Sequence, residues 1–134
     1  MIRFIHCVKR RSDLTPEEFR RYWNSAEFSA LLEFLGRLTD ARKVERNLTL
    51  LIDMNTELMK ERGSKEPFDV VLEVWFDNAR IFDDEHEGSE LNKFLEQMEN
   101  FQKQFIDFGE SMRFFTEWNP PEGSLEDPIT FGFS

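Results

Sequence analysis

Hydrophobic and polar positions along this chain switch repeatedly between a period of two and a period near three and a half. In residues 2–8, Ile2, Phe4, His6 and Val8 fall on one side and Arg3, Ile5, Cys7 and Lys9 on the other. Such alternation predicts a strand, and its apolar character on both sides suits a central place in a sheet. Thr15-Pro16-Glu17-Glu18 then carries three helix-start signals: a capping hydroxyl, a proline at the first helical position and a glutamate that closes a capping box. Phe19, Tyr22, Trp23, Ala26, Ala30 and Phe34 follow at helical spacing, and Leu31, Leu35 and Leu38 widen the stripe. Ser25 or Gly36 is expected to divide this helix in two.

Alternation returns from Val44 to Ile52, which predicts a second strand with Val44, Arg46, Leu48, Leu50 and Ile52 on one face. Residues 53–67 read as an excursion: a short helix over 55–62 stopped by Gly63, then a charged loop to Pro67. Phe68 to Phe76 is the strongest strand signal, with Asp69, Val71, Glu73 and Trp75 opposite Phe68, Val70, Leu72, Val74 and Phe76. Asp77-Asn78 is placed to cap a short helical turn through Phe82. Leu91, Phe94, Leu95, Met98, Phe101, Phe105 and Phe108 predict a long amphipathic helix ending near Gly109. Met112 to Trp118 is the fourth strand. Asn119-Pro120-Pro121-Glu122-Gly123 breaks regular structure. Beyond it Ile129, Phe131 and Phe133 give the tail an apolar character, and it either docks on a partner subunit or frays.

The order β-α-β-β-α-β predicts an α+β, ferredoxin-like split βαβ sandwich with helices on one face of the sheet. The domain is expected over 1–118, with 119–134 as a C-terminal tail. Helices cover only one side of such a sheet. The other carries Val71 and Trp75 beside Glu73, too apolar a surface to leave in water. Two copies closing these faces against each other would form a dimeric α/β barrel, so a homodimer is expected.

Composition sharpens this picture. The chain has 134 residues, enough for one domain with its own core. With 15 phenylalanines and 3 tryptophans, some rings are expected to line a pocket or an interface. A formal charge of −10 argues against nucleic acid and anionic membranes as partners. No apolar stretch reaches the roughly 20 residues of a membrane span. The opening residues read as a strand, not a signal layout, and the one cysteine, Cys7, requires no oxidising compartment. A cytoplasmic protein is expected.

Several pieces, in order, carry a resemblance. Ile2 to Val8 with Arg10-Arg11 resembles the opening strand and basic turn of the EthD family, a branch of the dimeric α/β barrel proteins. Leu14-Thr15-Pro16-Glu17-Glu18-Phe19-Arg20-Arg21-Tyr22-Trp23 is similar to that family's first helix. Phe68-Asp69 with Glu73-Val74-Trp75-Phe76-Asp77 resembles its third strand. Phe105-Ile106-Asp107 and Phe114-Phe115-Thr116-Glu117 resemble its ending. The resemblance covers about residues 1–118. It implies a ferredoxin-like dimer with a cavity in each subunit, and links to oxidative degradation or to polyketide-type cyclisation, dehydration or decarboxylation. Two departures stand out. Glu27 occupies the place of a family histidine four residues after Trp23, and Leu48 lies where the second strand usually carries another.

The candidate chemistry is therefore carboxylate-led. Glu27, on or near the first helical stripe, would be a general acid or base if desolvated, or a solvated edge residue paired with Arg20 or Arg21. Glu73, in an apolar strand, needs a partner or a wet cavity; Arg46 is the candidate partner. His6 assists if it shares a face with Glu73, or is a satisfied core histidine. Trp23, Trp75, Arg46, Phe115 and Glu117 complete the expected pocket. His86 among Asp83, Asp84, Glu85 and Glu87 reads as a solvated acidic loop rather than a cation site. Nucleophile-elbow, zinc, P-loop and dinucleotide motifs are missing, so no metal or cofactor is expected. The expected ligand is a small apolar, oxygenated or aromatic metabolite. Conversion by acid–base chemistry, non-catalytic carriage in a degradative pathway and a purely structural dimer module are the three readings.

Overall fold

The computed structural model describes residues 1–78 and 90–119. Its elements are β1 (Ile2–Val8), α1 (Pro16–Trp23), α2 (Ala26–Leu38), β2 (Lys43–Leu48), α3 (Asp53–Arg62), β3 (Val70–Phe76), α4 (Glu90–Gln102) and β4 (Met112–Glu117). The strands form one antiparallel sheet in the order β2-β3-β1-β4, the ferredoxin-like arrangement. The short turn expected after Asp77, the acidic stretch around His86 and the tail beyond Asn119 lie outside the described residues.

β1 occupies the centre because both of its sides are apolar enough to be covered. Val8 pairs with Val70, His6 with Leu72 and Phe4 with Val74 across the β3 ladder, and these side chains face the helices. Thr15 caps α1 as its sequence predicts: its side chain accepts from the Glu18 amide while Glu18 accepts from the Thr15 amide, at 3.1 and 3.0 Å. Those bonds hold the exposed Glu18 carboxyl below its usual pKa. Of the two positions expected to divide the first helix, Ser25 does so. Asn24 ends α1, and the Ser25 hydroxyl starts α2 by accepting from the Phe28 amide.

The core lies between sheet and helices. Trp23, Phe28, Phe101 and Phe105 meet there with Phe19 at ring-centroid distances of 5.1–6.2 Å. Such stacked, tilted and edge-on aromatic contacts each contribute about 1 kcal/mol beyond area burial.

Two boundaries differ from the hydrophobic pattern by more than two residues. β2 ends at Leu48, so Leu50 and Ile52 leave the sheet. α4 ends at Gln102 rather than near Gly109. After it the backbone is captured by the end of β1: Arg11 N–H donates to the Phe105 carbonyl at 3.0 Å, and Asp107 N–H to the Lys9 carbonyl at 2.9 Å. Phe105 and Ile106 remain buried beyond the end of the helix. These tertiary hydrogen bonds override a periodicity that would extend the helix.

Candidate functional site

Strand register decides which candidate residues meet. His6 stands opposite Leu72 on β3 and Arg113 on β4, and Leu72 stands opposite Arg46 on β2. Arg46, Leu72, His6 and Arg113 thus form one row on the helix-facing side. Glu73 is opposite Ile5 and Glu45 on the other side. His6 and Glu73 therefore point away from each other and share no site.

On the helix-facing side a cavity of about 200 Å³ opens between β1, β4 and α4, lined by His6, Glu99, Gln102, Phe108, Ser111 and Arg113. His6 is 4% exposed and Gln102 9%. Neither the imidazole nor the Gln102 amide has a hydrogen-bond partner among the described residues. Ser111 does: its hydroxyl donates to the Asp107 carbonyl at 2.6 Å and accepts from the Lys9 amide at 2.9 Å. Burial, and then the positive charge of Arg113, lower the His6 pKa from 6.5 to about 4. At neutral pH the imidazole is uncharged, with one nitrogen free to accept and the other to donate. Polar side chains this buried ordinarily find partners, and those of His6 and Gln102 open onto the cavity instead.

A row of rings extends from this cavity. Phe4 lies 6.1 Å from His6 and 5.2 Å from Phe115, which is 52% exposed. Glu117 continues the same face of β4, opposite Ile2, and is exposed.

The remaining sequence candidates lie elsewhere. Glu27 is exposed in the first turn of α2, and Phe28 takes the buried position. Counting four residues on from Trp23 fails because the helix stops at Asn24 and restarts in a new phase. Trp23 is 1% exposed within the core and does not line the cavity. Arg46 is not the partner of Glu73. It donates to the Trp23 carbonyl at 3.3 Å and the Ser29 hydroxyl at 3.1 Å, beside an open groove between α2 and β2.

Glu73 instead pairs with Arg3 at 3.2 Å, with Asn47 at 3.5 Å. The Arg3 guanidinium also lies 4.8 Å over the Trp75 ring, which meets Trp118 at 6.4 Å. This cluster sits, with Ile5, Cys7, Val71, Met112 and Phe114, on the uncovered face of the sheet, the one that no helix among the described residues covers. Burial raises the Cys7 pKa. Arg3 Nε, Trp75 Nε1 and Thr116 Oγ1 are shielded without a hydrogen-bond partner among the described residues.

Sequence reasoning named His6 but not Gln102 or Arg113. Gln102 does carry a signal: it stands four residues after Met98 on the apolar side of α4, a polar residue where the stripe calls for an apolar one. Arg113 needs the β1–β4 register, which no single-strand pattern supplies.

The EthD domain model matches residues 11–104, well over half of the chain. This chain belongs to the EthD family. Among solved structures, the EthD chain is similar to a dimeric protein of unknown function and ferredoxin-like fold from Bacteroides fragilis NCTC 9343. The identity is 18%, covering 87% of this chain and 95% of that one, with a TM-score of 0.55. At that identity the likeness concerns the fold. No curated protein matches. Among the described residues of the EthD chain no helix is long and apolar enough to cross a membrane.

Proposed function

We propose that this EthD-family protein binds a small ring compound bearing a phenol or carbonyl oxygen in the cavity beside His6, and works as a homodimer. The observation that carries the reading is that two largely buried polar side chains, His6 and Gln102, line one cavity without a side-chain partner among the described residues. A cavity of about 200 Å³ suits a single substituted ring. The neutral imidazole and the amide would hold an oxygen, with Arg113 supporting negative charge that develops there. Polarisation of that oxygen, as dehydration, cyclisation or decarboxylation would require, is the chemistry this arrangement serves, with His6 as a neutral hydrogen-bonding group, since burial and Arg113 make it a poor base. Non-catalytic carriage uses the same contacts without the reaction. Glu27 and Glu73 lie outside this cavity and take no part in it.

The dimer reading rests on the uncovered sheet face. Met112 and Phe114 are 56% and 42% exposed there, around the shielded polar atoms of Arg3, Trp75 and Thr116. Closing two such faces together removes that apolar area from water.

Calorimetric titration with a panel of phenols and aromatic ketones tests the binding. Saturable binding is expected, weakened at least about tenfold in Gln102→Leu, since an unmet oxygen would be left in the cavity. No binding across the panel, or binding indifferent to Gln102→Leu and His6→Leu, contradicts the assignment.

A further inference from the structure

The β2–β3 connection, residues 49–69, lies beside the start of α1 and borders a second, half-open cavity of about 390 Å³. It shares no lining residue with the His6 cavity. Its size falls within the usual range for small-molecule sites. Phe19, Leu50, Leu51, Ile52, Met59 and Phe68 supply apolar walls.

Apart from Phe19, which belongs to the core, these side chains lie outside it. α3 buries none of its residues, and Leu50, Leu51 and Ile52 are 65%, 67% and 49% exposed. A ten-residue helix is marginal alone in water. This one is held at its ends, by Asn55 donating to the Leu50 carbonyl at 2.7 Å and by Gly63 in the left-handed conformation, φ 62°. The connection thus keeps an apolar wall in place without covering it. Contiguous exposed apolar surface of this kind marks a binding groove.

The charges in the lining are unequal. Lys9 pairs with Glu66 at 3.3 Å and Asp69 at 3.8 Å, and Arg10 with Asp69 at 3.5 Å. Arg20, half-buried, donates only to the Thr49 carbonyl, at 2.8 Å, and meets no carboxylate among the described residues. Asp53, the other unpaired charge of the lining, stands exposed at the head of α3. A guanidinium has five donors in a fork that fits a carboxylate. Here most of those donors are left over, at the border of an apolar wall.

We propose that this cavity binds an amphipathic monoanion: an apolar chain or ring ending in a carboxylate, with Arg20 on the head and Leu50, Leu51 and Ile52 along the tail.

The test is calorimetric titration of the full chain with decanoate and with decanol, both below micelle formation, accompanied by amide NMR mapping. Saturable decanoate binding is expected, with shifts at residues 49–52 and decanol at least about tenfold weaker. Arg20→Gln should bring decanoate down to the level of decanol. Because Arg20 also holds Thr49, Leu51→Asp serves as the second variant: an exposed change that leaves the fold intact and should abolish decanoate binding. Equal affinity for acid and alcohol overturns the proposal, as does no binding or shifts confined to the His6 cavity. So does a concentration-dependent rise in mass that Leu51→Asp removes, which would give the wall to a second copy of the chain.

Discussion

The two faces of one sheet handle polar residues in opposite ways. On the uncovered face Glu73 is a carboxylate set among apolar side chains, and the sheet supplies its counter-charge: Arg3 at 3.2 Å, itself stacked over Trp75. On the helix-facing side His6 lies between Phe4 and Val8 along its strand, beside a largely polar cavity, and receives no side-chain partner among the described residues. It is kept neutral instead, by burial and by Arg113, and opens onto a cavity. A paired charge on an apolar face is an arrangement that a second protein surface can cover. An unpaired neutral group beside a void is one that a small molecule completes. The difference is the ground on which we propose assembly for one face and a ligand for the other.

The largest expected effect breaks the uncovered face. Phe114→Asp places a charge at the centre of an apolar patch while leaving the monomer core untouched, since Phe114 is 42% exposed. Analytical ultracentrifugation should show the dimer weakened by roughly a hundredfold or more, the range of a lost central anchor. An unchanged dimer would move assembly to another surface.

The next effect belongs to the covered face. The folded pKa of His6, about 4, lies below the unfolded value of 6.5. Between these values the unfolded state binds the proton and the folded state does not. The stability that His6 contributes is therefore complete above pH 6.5 and is lost as pH falls to about 4, roughly 3 kcal/mol in all. Denaturant unfolding of the wild type and His6→Gln at pH 7 and pH 4.5 should converge as pH falls, beyond the carboxylate titration the two share. A constant difference between them would place His6 in contact with water.

Much of the fold was legible because it rests on local rules. β1 follows strict alternation and runs over the residues that alternation predicts. The Thr15-Pro16-Glu17-Glu18 start forms its capping box because each signal acts within four residues. The site was less legible because it depends on relations between elements. Periodicity places His6 with Phe4 and Val8, but only the β1–β3 register puts Glu73 on the opposite face. Continuous helical counting put Glu27 on or near the apolar stripe, desolvated or solvated at its edge, and the stop at Asn24 turned it outward. Gln102 was hidden by the expectation that α4 continues, which made it one polar residue within a longer stripe. At the end of the helix, beside β1, it becomes part of a cavity wall.

The most direct test is an NMR titration of the His6 ring, with and without a bound phenol or aromatic ketone from the panel. The chain has only two histidines, so the signals are readily assigned by His86→Gln. A ring that is neutral at pH 7, titrates near pH 4 and shifts on ligand addition is the expected result. A ring that titrates near 6.5 and ignores every ligand that binds would contradict the assignment of this cavity as the ligand site.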